Sequence, residues 1–200
     1  MYRYITPLPG CCLNKTILLQ DVIRFLYRQD TDLQRSCMQT LKTMDLSEIS
    51  LIEKKERCLV TVDIDKDTPF DKQVEMIIEE TKKYQLRRLH DASYGTMIAA
   101  ESLRQGNYED YSRLFIEIPF PIKKKGLHIQ PAGRYLRAFY QESPANAIAC
   151  YQKIFEFSGE NGFVLSGFSY EVIINENVIS RTEDAVVQIE IPIKKNIAKG

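Results

Sequence analysis

Residues 116–124 read IEIPFPIKK, and residues 189–195 read IEIPIKK. A near-copy at this distance asks whether the repetition extends upstream, because internal self-similarity decides a fold before any single motif does. It does extend. Before each copy lies a run rich in β-branched and aromatic residues, CLVTVD at 58–63 and RYLRAFY at 134–140, which the alternation predicts as strands. Each run leads to a hydroxyl residue followed by proline, Thr68-Pro69 and Ser143-Pro144. A hydroxyl can cap an orphan N–H, and proline at the first helical position gives up no hydrogen bond, so both pairs predict helix starts. Three-to-four spacing then puts Phe70, Val74, Ile77, Ile78 and Thr81 on one helix face, and Ala147, Tyr151, Ile154 and Phe155 on the other. SYGTMI at 93–98 and SYEVII at 169–174 follow, and terminal strands fall near 112–118 and 185–191, with proline expected to end their ladders.

The chain thus spells β-α-β-β twice. One such unit is too small to bury both faces of its strands, so the expected fold is α+β. Two pseudo-twofold-related units, about 50–122 and 126–195, form one antiparallel-sheet domain over 48–200, with helices on one side and a ligand groove between the halves. A helical extension is expected over 1–47, with apolar residues Ile17, Leu18, Val22, Phe25, Leu26, Leu33, Met38 and Leu41 at roughly helical spacing.

Composition narrows the functional classes. Lysine plus arginine equals aspartate plus glutamate at 27 each, so the chain alone lacks the basic excess that drives non-specific DNA binding. The cysteines, Cys11, Cys12, Cys37, Cys58 and Cys150, have no zinc-like spacing, and with His90 and His128 in polar, loop-like contexts no metal site or cofactor is expected. Reduced thiols, no signal-peptide pattern and no apolar run approaching membrane-spanning length place the chain in the cytoplasm and away from membranes.

One residue resists a purely structural reading. Glu171 stands in the apolar strand GFSYEVII, where burying a carboxylate is costly unless it is paired or kept for a ligand. Alternation groups it with Ser169 and Ile173, away from Phe168, Tyr170 and Val172. The alternatives are an anionic groove floor, an edge-strand glutamate in solvent, or an ion pair with Arg134 or Arg137.

Taken in order, PAGRYLRAFYQESP (131–144), SGFSYEVII (166–174) and VVQIEIPIKK (186–195) within the duplicated unit resemble the GyrI-like effector-binding domain, an SHS2-type duplicated module at the C-terminus of bacterial MerR-type multidrug-responsive transcription regulators. The resemblance covers about Glu48 to Lys195. It implies a pocket in which a buried glutamate among tyrosines meets flat, lipophilic cations. The family's glutamate falls on Glu171, the branched residue two beyond it on Ile173, the tyrosine of the first-half motif on Tyr94, and a further acidic position on Glu183. Such a site is promiscuous, since cation–π contacts and one desolvated carboxylate impose no fixed hydrogen-bond pattern. The chain departs from the family where it has Glu142, Ala147 and Ala185; Tyr135, Phe139 and Tyr140 are the aromatics that could compensate.

Whole regulators of this kind carry a winged helix-turn-helix and a dimerising helix, and YRYIT at 2–6 resembles their wing segment. No helix-turn-helix is legible here, so the expected partner is an aromatic or cationic small molecule rather than DNA. The N-terminal helices either form a homodimer seam or pack on the domain's own sheet. Stand-alone members of this fold resemble hydrolases of reactive cyclopropane-containing toxins or act as stoichiometric protein inhibitors. A Glu171 carboxyl raised by burial could serve acid–base chemistry, but no histidine partner, phosphate loop or metal cluster accompanies it, and no catalytic residue is assigned.

Overall fold

A computed structural model describes residues 45–195, apart from 47, 66, 85–91, 119–121, 123, 177–178 and 180. The helical extension expected over 1–47 therefore lies almost wholly outside the described residues, as do His90 and three of the cysteines; Cys58 and Cys150 are free thiols.

The described chain runs β1 (Ser50–Lys54), β2 (Arg57–Asp63), α1 (Phe70–Lys83), β3 (Tyr94–Ala99), α2 (Ala100–Arg104), β4 (Tyr111–Glu117), β5 (His128–Gln130), β6 (Gly133–Gln141), α3 (Pro144–Glu160), β7 (Phe163–Leu165), β8 (Phe168–Ile173) and β9 (Val186–Lys195). All strand pairings are antiparallel. The order across the sheet is β1-β6-β9-β8-β3-β4-β2-β5, with β7 added to the end of β9. The first β-α-β-β stretch supplies β2, β3 and β4 on one side of the β3–β8 junction, and the second supplies β6, β8 and β9 on the other.

This order forces curvature. β1 and β2 stand six strands apart, which in a flat sheet would be about 29 Å. Yet only Lys55 and Glu56 join them, a link that reaches about 11 Å. Pro131 and Ala132 impose the same constraint between β5 and β6. The sheet must curl until its edges approach, although among the described residues β1 and β5 do not pair and the sheet stays open. Its inner face holds Leu59, Met97, Phe115, Tyr135 and Tyr170, with no helical residue among them.

Both long helices cover the outer face. Val74 and Ile77 of α1 pack on Val60, Val62, Leu114 and Ile116. Tyr151 and Ile154 of α3 pack on Leu136, Ala138, Ile173 and Ile189. Helix α3 starts as its sequence predicts, with the Ser143 side chain accepting the Asn146 N–H at 3.1 Å and Pro144 in the first turn. Helix α1 does not: Pro69 occupies the capping position with no side-chain cap, and it is the Thr68 carbonyl that accepts from the Gln73 amide at 2.8 Å.

Two further expectations are corrected. Pro192 does not end the β9 ladder, because β8 pairs with β9 up to Glu190 and β7 takes over at Ile193, leaving the proline where the strand changes partners. Opposite it, Tyr135 continues the pairing with β6. His128 does not lie in a loop; it opens β5, half-buried on the inner face, its Nε2 3.0 Å from the Tyr170 hydroxyl, and burial with nearby Arg113 holds its pKa below the usual value.

Candidate functional site

Strand β8 lies at the middle of the sheet, where Glu171 pairs with Thr96 on one side and Ile189 on the other. Alternation turns its side chain, with those of Ser169 and Ile173, to the outer face beneath α3, while Phe168, Tyr170 and Val172 line the inner face. Glu171 is 4% exposed. The alignment of β3 with β8 depends on Gly95 of the SYG motif: a Cβ there would sit 1.8 Å from the Glu171 carbonyl oxygen.

Three phenols converge on this carboxylate. Tyr140, near the end of β6, and Tyr111, at the start of β4, each donate to Oε2 at 3.3 Å. Tyr151 of α3 donates to Oε1, and its oxygen also lies 2.8 Å from the Ser169 hydroxyl. Tyr108 stacks on the Tyr151 ring at 5.6 Å between centroids. Among the described residues no lysine or arginine pairs with Glu171. Arg137 is bound to Glu190, and the Arg134 guanidinium lies 5.1 Å over the Phe163 ring, so the ion-pair alternative for Glu171 is not realised.

Burial without a cation raises the Glu171 carboxyl to about 7, against the opposing pull of the Tyr151, Tyr140 and Tyr111 hydroxyls. Glu142, just past the end of β6, is likewise raised to about 7, first by burial and then by the Glu171 charge. The phenols of Tyr140 and Tyr151 are pushed well above their usual range by burial and by Glu171, so they remain donors at neutral pH. Burial and Glu171 push the Cys150 thiol up to about 12, leaving it unreactive. The result is a buried carboxyl ringed by the phenols of Tyr111, Tyr140 and Tyr151, with no basic side chain paired to it among the described residues.

Tyr140 also lines a cavity of about 300 Å³ bounded by Leu46, Glu48, Ile49, Ala138, Phe139, Asn146, Cys150 and Lys153. That volume lies at the small end of the range for ligand sites.

The residues singled out in the sequence fall in different places. Tyr140 touches Glu171, and Ile173 lies two positions along the same buried face. Tyr94 is also on the outer face, packed with the α1 cluster, and its hydroxyl donates to Glu176. Tyr135 lies on the inner face and donates to the Pro131 carbonyl at 2.6 Å, which separates it from Glu171 by the thickness of the sheet. Glu183 is exposed in a 3-10 turn, 3.5 Å from Arg181. Tyr111, Tyr151 and Tyr108 were not singled out. Tyr151 read as an apolar packing residue, and the only signal of its role is that it brings a polar tip to an otherwise apolar helix face aimed at Glu171. Among the described residues no group of three or more His, Cys, Asp or Glu is placed to hold a metal, and no helix is long and apolar enough to cross a membrane.

No protein-family model matches the chain. The multidrug-efflux transporter 2 regulator of Bacillus subtilis (strain 168) is 25% identical over 190 residues, spanning 91% of this chain and 67% of the relative. The cryo-EM structure of EcmrR on DNA aligns with 92% of this chain and 69% of its own, at 16% identity and a TM-score of 0.56. The crystal structure of the EcmrR C-terminal domain aligns with 74% of this chain and 98% of its own, at 15% identity and a TM-score of 0.51. At those identities the two structures establish a shared fold.

Proposed function

Taking the chain as a GyrI-like effector-binding domain of the kind carried by MerR-type regulators, we propose that it binds lipophilic, cationic small molecules at Glu171 and is the sensing part of a transcription regulator. The observation that carries this reading is the buried Glu171 carboxylate, held by the hydroxyls of Tyr111, Tyr140 and Tyr151 and paired with no basic residue among those described. A delocalised cation entering beside it supplies the missing charge. The surrounding rings add cation–π attraction, of order 1 kcal/mol per contact and more when desolvated. Shape selection is weak in such a box, which suits a sensor of many compounds. The DNA-bound EcmrR neighbour and the named regulator from Bacillus subtilis support the regulatory assignment.

The test is a structure of the chain with a planar quaternary cation. The proposal expects the cationic centre against the Glu171 carboxylate, with at least one of the three hydroxyls displaced. A ligand seated on the inner face, or no bound ligand at saturating concentration, would overturn it.

A second reading has one observation in its favour. A carboxyl raised to about 7 beside phenol donors suits general acid–base work. That reading predicts turnover, a chemically altered ligand recovered from the mixture, whereas a sensor returns its ligand unchanged.

A further inference from the structure

The two short links that curl the sheet, residues 55–56 and 131–132, bring four polar side chains together at the mouth of its inner face. Lys54 ends β1, Arg57 begins β2 opposite Gln130 of β5, and Arg137 lies on β6 beside β1. Three cations there face two carboxylates. Lys54 and Arg137 share Glu190, Lys54 binding Oε2 and Arg137 binding Oε1 at 2.7 and 3.0 Å, while Arg57 uses one nitrogen to hold both oxygens of Glu117 at 2.6 and 2.7 Å. One positive charge is left over. It is set in a partly dry place, since the Lys54 and Glu190 side chains are 8% and 5% exposed. A net charge in such surroundings is costly without a counterion.

Three observations say that negative charge is what this place lacks. Among the described residues no hydrogen bond uses Arg57 Nε or Nη2, or Arg137 Nη1. Gln130 is 3% exposed, and no described residue hydrogen-bonds its side-chain amide, an unusual state for a buried polar group. The Lys54 amine is lowered to about 8, first by burial and then by Arg57 and Arg137, with Glu117 opposing; Arg137 is lowered by burial and by Arg57. Access is open on one side, because the Arg57 and Arg137 side chains are 43% and 34% exposed, while Lys54 and Gln130 are buried.

We propose that this mouth is a second ligand site, in which Arg57, Arg137 and Lys54, with the Gln130 amide, receive a small oxyanion, a phosphate or carboxylate group. The free Nε–Nη2 edge of Arg57 and the free Nη1 of Arg137 can donate to the oxygens of such groups. The site faces the inside of the curl and Glu171 faces the outside, so one domain presents an anion site and a cation site on opposite faces of the same sheet. The proposal does not rest on the cation reading.

Inorganic phosphate and, separately, acetate are titrated into the intact chain at constant ionic strength, which removes general screening as a cause. The side-chain resonances of Lys54 and Gln130 are followed by NMR. Saturable shifts of both, with the Lys54 amine pKa moving upward as the anion binds, are expected. Saturation by phosphate alone assigns a phosphate group; saturation by both assigns an oxyanion site that accepts carboxylates. Arg57→Gln, at an exposed position, should weaken binding about tenfold by removing one charge-assisted contact. Linear, unsaturating shifts with both anions, or unchanged affinity in Arg57→Gln, would overturn the proposal.

Discussion

Replacing Glu171 by Gln keeps the shape of the side chain and removes its charge. In the folded chain the Glu171 carboxyl titrates at about 7 against an ordinary 4.5, chiefly because it is buried. Below about pH 4.5 it is protonated in both folded and unfolded states and has no electrostatic cost. Between about 4.5 and 7 the unfolded chain gives up its proton first, so stability falls as pH rises, and above about 7 the full cost stands. A difference of this size corresponds to about 3 kcal/mol. Gln retains an acceptor for the tyrosine hydroxyls but brings an amide that needs a partner of its own, a loss of about 1 kcal/mol. Glu171→Gln is therefore expected to be about 2 kcal/mol more stable than the parent at pH 8 and no more stable at pH 5. Relief of Glu142, which the Glu171 charge raises, acts in the same direction. Urea unfolding of both proteins at the two pH values measures the difference. A variant less stable than the parent at pH 8, or a difference that does not change with pH, would refute the claim that an uncompensated carboxylate is held here for a ligand.

Other expectations follow from the same geometry. On the proposed reading a cation pairs with the ionised form of Glu171, so affinity for a non-titrating cation should fall about tenfold from pH 8 to pH 6, and a flat profile by equilibrium dialysis would remove Glu171 as the partner. Gly95→Ala places a Cβ 1.8 Å from the Glu171 carbonyl oxygen, so β3 and β8 must separate. We expect a loss of about 3 kcal/mol in chemical unfolding together with cation affinity, while Gly159→Ala, which meets nothing within 4 Å, should leave both intact. Tyr135→Phe loses an inner-face hydrogen bond and about 1 kcal/mol of stability without altering cation binding, whereas Tyr140→Phe removes a donor from Glu171 and should change ligand affinity. Equal ligand effects in the two variants, measured by competition binding, would contradict the separation of the faces.

How far the sequence could be read depended on the range of the interaction. The strands around 58–63, 134–140 and 169–174 and the two long helices were legible because alternation, helix-face spacing and the Ser143-Pro144 start are all local. Strands β5 and β7, of three residues each, carry too little pattern to be seen, and β1 gains its place only by pairing with β6 across the chain. The curl was invisible for the same reason, since it follows from strand order and two short links. Glu171 declared itself as a charge in an apolar strand. Its phenol partners did not: Tyr151 sits where a packing residue belongs, and Tyr111 opens β4 just after a polar turn that carries Tyr108, which stacks on Tyr151. Tyr135 and Tyr140, five residues apart on one strand, end on opposite faces, which alternation alone predicts once the direction of either is known.

The measurement that bears most directly on the account is calorimetric titration of the chain and of Glu171→Gln with a planar cation and a neutral compound of the same shape. The chain has no tryptophan, so heat is a safer signal than intrinsic fluorescence. Saturable binding of the cation that is lost in Glu171→Gln, with the neutral compound bound equally by both proteins, is the predicted result. Equal losses for the two compounds, or no heat from either, would contradict recognition of charge at Glu171.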